Sequence, residues 1–82
     1  MKYPVYSILD KKTCYMMPQC DQNESTAVRG FAFAINNGDG IMNYSPSDFE
    51  LYEVGKFDSE SGKLIPNDSP VFIVAGNSVV GD

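Results

Sequence analysis

Phe49-Glu50-Leu51-Tyr52-Glu53-Val54-Gly55-Lys56-Phe57 alternates with a strict period of two. The alternation puts Phe49, Leu51 and Phe57 on one face and Tyr52 and Val54 on the other, the pattern of a β-strand with one buried side. Asp58-Ser59-Glu60-Ser61-Gly62 is turn chemistry and Lys63-Leu64-Ile65 returns, so residues 49–65 form a hairpin. After Pro66-Asn67-Asp68-Ser69-Pro70, the run Val71-Phe72-Ile73-Val74-Ala75 is apolar on both faces. Such a strand lies centrally in a sheet, or has its second face covered by another subunit.

Toward the N-terminus, residues 37–48 carry Gly38, Gly40, Ser45, Pro46 and Ser47 and read as a long loop with one apolar anchor, Ile41-Met42. The clearest helix signal precedes it. Asp21 with Glu24 three residues on is a capping-box arrangement, and Ala27, Val28, Phe31, Ala32 and Ile35 share one face at 100° per residue. Asn36-Asn37-Gly38 supplies residues that tolerate the left-handed conformation and stop a helix. The spacing predicts a helix over residues 22–36, with Gly30 on its side and Arg29 and Phe33 as i,i+4 neighbours off the apolar face. Residues 3–9 have strand propensity, Asp10-Lys11-Lys12-Thr13 reads as a turn, and Cys14-Tyr15-Met16-Met17 completes a short hairpin that Pro18 ends. The order β-β-α-β-β-β is of the α+β class: a small antiparallel sheet of about five strands with one helix packed on one face. One helix cannot cover both faces, and the uncovered one carries Tyr6, Tyr15, Tyr52 or Phe72 according to register.

Composition bounds what such a fold can do. The chain has 82 residues, so it is a single domain over 1–82, with a tail expected to fray from about residue 76 although Val79 and Val80 could dock. It has no His, which removes the commonest general base, metal ligand and pH switch. No run of 18 apolar residues crosses a membrane, and no signal peptide precedes the first strand. Cytoplasmic residence is therefore expected, with Cys14 and Cys20 as reduced thiols whose spacing suits neither a redox pair nor half a zinc site. The net charge of −5 opposes a simple electrostatic grip on nucleic acid. Its distribution is uneven. Residues 1–36 carry four cations against three acids, whereas residues 37–82 carry two against eight, so an anionic partner should prefer the N-terminal half.

Motifs for chemistry fail one after another. Asp58-Ser59-Glu60-Ser61-Gly62 resembles a Ca²⁺ loop, but Gly stands fifth and position 69 is Ser where a bidentate Glu is needed. Asn37-Gly38-Asp39-Gly40 follows a helix instead of opening one, so it reads as a helix exit and not a phosphate loop. Cys14, Cys20 and the serines have no His to activate them. Glu50 and Glu53 lie on opposite faces of a strand. No enzyme, metal or cofactor is expected. What remains is surface: aromatics interleaved with cations can stack unpaired bases, and the candidates are Tyr3, Tyr6, Tyr15, Lys11, Lys12, Arg29 and Phe33. The same tyrosines would equally serve half-buried at a sheet edge or a dimer interface.

Ser45-Pro46-Ser47-Asp48-Phe49-Glu50-Leu51-Tyr52-Glu53-Val54-Gly55-Lys56-Phe57-Asp58, followed by Gly62-Lys63-Leu64, resembles the P-x-D-[FY]-x-L-[FY]-x-[IVL]-G-x-[FY]-D core of small nonstructural proteins of gokushoviruses, single-stranded DNA phages of the microvirus family. The opening residues 2–12 resemble that family's start, and Ala27-Val28-Arg29-Gly30-Phe31 its helix pattern A-x-R-x-F. The matches keep order and spacing across residues 2–65. The resemblance implies a phage protein made in the host bacterial cytoplasm and absent from the virion. The family is usually described as DNA-binding, with a role in viral DNA replication or in the switch to single-strand synthesis and packaging. On that basis the expectation is a non-enzymatic replication accessory that binds single-stranded DNA weakly, as a homodimer, through Lys11, Lys12, Arg29, Phe33, Tyr6 and Tyr15. The alternative is an acidic module, with Glu50, Glu53, Asp58 and Glu60, that docks on the replication initiator or a host replication factor without binding DNA.

Overall fold

Strand β3 (Phe49–Asp58) pairs antiparallel with β1 (Lys2–Asp10) on one side and β4 (Leu64–Ala75) on the other. A short β2 (Gln19–Cys20) adds to the outer edge of β1, giving one four-stranded antiparallel sheet in the order β2-β1-β3-β4. The computed structural model describes residues 1–38 and 40–81; Asp39 and Asp82, which fall in the expected loop and tail, lie outside them. The helix α1 (Glu24–Asn37) packs on one face of the sheet, so the α+β class stands, with four strands instead of five.

Two features account for the difference in strand count. The expected strand at 14–17 shrinks to a single bridge between Leu9 and Tyr15, and pairing resumes only beyond Pro18, at Gln19 and Cys20. At the other end, the segments at 63–65 and 71–75 merge into one strand that runs through Pro66 and Pro70. Proline lacks an N–H and is confined to edges and irregularities of sheets. β4 meets both conditions: it is the outermost strand and its register with β3 shifts twice, between Leu51 and Tyr52 and between Glu53 and Gly55. The expected central position of Val71–Ala75 is thereby corrected to an edge. Gly55 sits at the second shift, where a Cβ would lie 2.6 Å from the Ile65 carbonyl oxygen, so the two backbones approach closely because the side chain is absent.

The core forms where the alternation of β3 meets the apolar stripe of the helix. Phe49 and Leu51 of β3, Tyr6 of β1, and Ala27, Phe31, Ala32 and Ile35 of α1 make one buried cluster, with Ile8, Val28 and Val74 against it. α1 begins two residues later than the sequence suggests. Asn23 is the cap, its Oδ1 accepting from the Thr26 N–H at 2.9 Å, while the Asp21 N–H donates to the Pro4 carbonyl. Glu24 in the first turn suits the positive end of the helix dipole. Gly38 ends the helix in an extended conformation, not a left-handed one. Gly30 lies inside the helix, where a Cβ would meet no atom of another element within 4 Å. Gly30→Ala is therefore expected to raise folding stability by about 0.5–1 kcal/mol, read as a higher urea midpoint at unchanged slope.

The loop before β3 is more ordered than its glycines suggest. A short helix α2 (Ile41–Tyr44) is followed by a 3-10 turn at Pro46–Asp48, and Met42 packs on the core. The tail expected to fray is docked. Val79 joins the buried cluster, and Asn36 of α1 donates to the Ala32 and Val79 carbonyls at 2.8 Å while its Oδ1 accepts from the Gly81 N–H.

Candidate nucleic-acid interface

Because Phe49 and Leu51 point into the core, the residue between Leu51 and Glu53 takes the opposite side of β3, and Tyr52 stands on the sheet face that α1 leaves open. Its ring meets two others edge to face. Tyr15, on the segment bridged to β1, lies at 5.6 Å between centroids, and Phe72 of β4 at 5.7 Å, with interplanar angles near perpendicular (80° and 77°). Ser7 of β1 is buried in the same region, its hydroxyl donating to the Met16 carbonyl at 2.6 Å, which ties the Tyr15 segment to the strand. The result is a line of three rings on β3, β4 and the segment bridged to β1, two of them well exposed, with Phe72 at 52%.

Charge at one end of this line is set by Glu50. The Tyr52 hydroxyl donates to its carboxylate at 2.9 Å, and that hydrogen bond, with burial, holds the Tyr52 pKa above the ordinary tyrosine value. Lys11 reaches the other carboxylate oxygen at 3.8 Å. Lys12 is exposed beside it at the turn, where its backbone N–H donates to Asp10 Oδ1, and its ammonium makes no ion pair among the described residues.

The six residues expected to contact DNA do not come together. Tyr15 and Lys11 lie toward one end of the open face, Lys11 by way of Glu50, and Lys12 follows Lys11 in the turn. Tyr6 is corrected out of the set: it is 4% exposed, under α1, and burial followed by Glu53, Glu24 and Asp21 pushes its hydroxyl pKa up. Val5 and Tyr6 take opposite sides of the sheet as neighbours in a strand do, the extra residue of the β1–β3 register shift being Val54 of β3; Tyr6 faces α1, and Val5 is buried on the other side beside Pro18 and Ile65. Arg29 and Phe33 are exposed on α1, where they line a shallow groove of about 370 Å³ on the helix side. Phe33 also lines a larger groove of about 710 Å³ together with Tyr15, whereas Arg29 does not border it. Tyr52 and Phe72, absent from the expected contact set, are the centre of the site, and Glu50 is its acidic border; for Tyr52 the signal is its parity against Phe49 and Leu51.

Two further acids, Glu53 and Glu60, are paired with cations of the chain. Burial pushes the Glu53 carboxyl up, but hydrogen bonds from Lys56 at 2.8 Å and Asn67 at 2.9 Å outweigh it and hold the pKa below the usual glutamate value. Glu60 pairs with the Met1 ammonium at 3.3 Å. Among the described residues no three His, Cys, Asp or Glu side chains cluster as a metal site, and no helix is long and apolar enough to cross a membrane.

The profile of the phage ORF5 protein family matches residues 3–79, nearly the whole chain. The chain belongs to the phage ORF5 protein family. Comparison with curated proteins and with solved structures finds no match. The family match reaches past the hairpin, through β4 to Val79, so the fold elements that carry Tyr15, Tyr52 and Phe72, and the docked tail, all lie within the span shared by phage ORF5 proteins.

Proposed function

We propose that this phage protein is a non-enzymatic, nonstructural gokushovirus protein that binds single-stranded DNA weakly on its open sheet face. In this reading it acts in the host bacterial cytoplasm, in viral DNA replication or in the switch from duplex replication to single-strand synthesis and packaging. The observation that carries it is the line of rings Tyr15, Tyr52 and Phe72 on the sheet face that α1 leaves open. Unpaired bases stack on such rings whatever their sequence, each stack contributing about 1–3 kcal/mol. Lys12 and Lys11 flank the line at its Tyr15 end and are suited to phosphates. Few cations mean few released counterions, so affinity is modest and its salt dependence shallow. The alternative, docking of the acidic half on a basic partner, is weakened because Glu50, Glu53 and Glu60 are each paired with a cation of the chain itself. Those pairs reduce the field a basic surface would meet.

Fluorescence anisotropy of labelled oligo(dT) at low salt tests the reading. Wild type is expected to bind in the micromolar to sub-millimolar range, and Tyr15→Ala or Tyr52→Ala to weaken binding by roughly 5- to 150-fold, with Tyr52→Phe close to wild type. Arg29→Ala is expected to change it little, since Arg29 does not border the groove that Tyr15 and Phe33 share. Wild-type affinity no tighter than millimolar, or a loss confined to Arg29→Ala, would sink the proposal. Capture from infected cells of a replication protein with no DNA would favour the alternative.

A further inference from the structure

The two edges of the sheet differ in a way that points to a partner. Along β1 the outer edge is covered: Gln19 and Cys20 pair with Tyr6 and Val5, Tyr15 bridges Leu9, the Met16 N–H donates to Ile8 and the Asp21 N–H to Pro4. Along β4 the outer edge is bare, and no other segment among the described residues pairs with it. Natural sheets blunt such edges with Lys, Pro, inward charges or a covering loop. β4 does so in its first half, with Pro66, Asp68 and Pro70, whereas Val71-Phe72-Ile73-Val74-Ala75 carries no proline, charge or covering loop and only the single-residue irregularity at Ile73. Val71 is 50% exposed and Phe72 52%.

We infer that this segment pairs with the same segment of a second copy of the chain, joining two sheets edge to edge. Pro70, with no N–H to give, bounds the pairing on one side, and the 3-10 turn at Gly76–Ser78 bounds it on the other. Five residues remain, and antiparallel pairing of such a strand with itself satisfies both edges by one two-fold axis, with no complementary sequence required. Charge selects the same place. The chain carries −5, so two copies repel over most of their surfaces, and residues 71–75 are a stretch where backbones meet with no carboxylate opposed. A two-fold axis perpendicular to the sheet puts Phe72 of both copies on the same, open face of the joined sheet, since Ile73 is the extra residue that sends Phe72 and Val74 to opposite faces. The two lines of rings then run on from one copy into the other. This last consequence rests on the single-stranded DNA reading; the pairing itself does not.

Sedimentation equilibrium of the full chain without DNA reads the pairing directly. Wild type at about 100 μM is expected at twice the 9.0 kDa chain mass, dissociating on dilution. Val71→Lys, a charge on the edge, is expected to raise the dissociation constant by about tenfold or more. Val80→Lys, exposed but off the strand, should remain dimeric. A wild-type mass of 9.0 kDa up to about 1 mM overturns the inference, as does undiminished dimerisation of Val71→Lys. If Val71→Lys loses its thermal transition, wild-type hydrogen exchange decides: protection of residues 71–75 must fall on dilution through the dissociation range, and protection independent of concentration overturns the pairing. Tyr15→Ala separates the two readings, since it should lose oligo(dT) binding and keep the dimer mass. A dimer that binds no DNA would sustain the pairing and remove the function proposed for it.

Discussion

Phe49→Ala is expected to lower folding stability by about 3–5 kcal/mol. Phe49 is 1% exposed and sits where β3, α1 and the docked tail meet, in the cluster with Phe31, Ile35, Leu51 and Val79. Deleting its ring removes the transfer free energy of a large apolar group and leaves a cavity that three separate elements would have to move inward to fill. A domain of this length has in total about 4–12 kcal/mol, so the variant should lose much or most of its stability at 25 °C. Urea unfolding followed by far-UV circular dichroism measures it, with Phe49→Leu as the comparison that preserves most of the volume. A loss below about 1 kcal/mol would mean that the three elements collapse freely and do not share a common core.

Gly76→Ala is expected to be the second most damaging change, at about 2–3 kcal/mol. A Cβ there would overlap the Pro46 carbonyl oxygen and stand 3.0 Å from both the Phe49 carbonyl oxygen and Ile35 Cδ1. Two of these three atoms are backbone, in the turn before β3 and at its first residue, so relief requires the two 3-10 turns to part. Alanine would recover about 0.4–1 kcal/mol by restricting the unfolded chain, which is why the net loss is smaller than the clash alone implies. Thermal unfolding of the variant should show the drop together with faster exchange of the Val79 amide, which donates to the Gly76 carbonyl. A variant as stable as wild type would show that the turns are not held against each other.

The parts of the fold legible in the sequence are those in which one periodicity has no competitor. Phe49–Phe57 alternates cleanly and gives both the hairpin and, through Tyr52, the centre of the open face. The helix face Ala27, Phe31, Ala32 and Ile35 is equally plain, because its spacing fits no strand. β1 is harder: Tyr3 to Leu9 has apolar residues at both parities, and Val5 and Tyr6 are both buried, on opposite sides of the sheet, so alternation alone does not say which parity faces α1. β4 misleads for a different reason. Pro66 and Pro70 look like breaks, yet an outermost strand with an irregular register continues through them. Where the rings meet is a property of two strands and a bridged segment brought together from residues 52, 72 and 15, and only the pairing of β1, β3 and β4 with the Leu9–Tyr15 bridge makes them neighbours.

The position of β1 also fixes an order of events during synthesis. Its main partner, β3, is distant in the chain: Asp10 pairs with Phe49 and Lys2 with Asp58. The β3–β4 hairpin and α1 close over short loops, whereas β1 cannot settle until a long loop has closed, which slows folding. On the ribosome β1 emerges ahead of the other strands and waits with an unpaired edge for one not yet translated. The first of these four strands to be made is thus among the last to find its place, and nascent chains expose Tyr3 to Leu9 to their surroundings for longer than any of the other three.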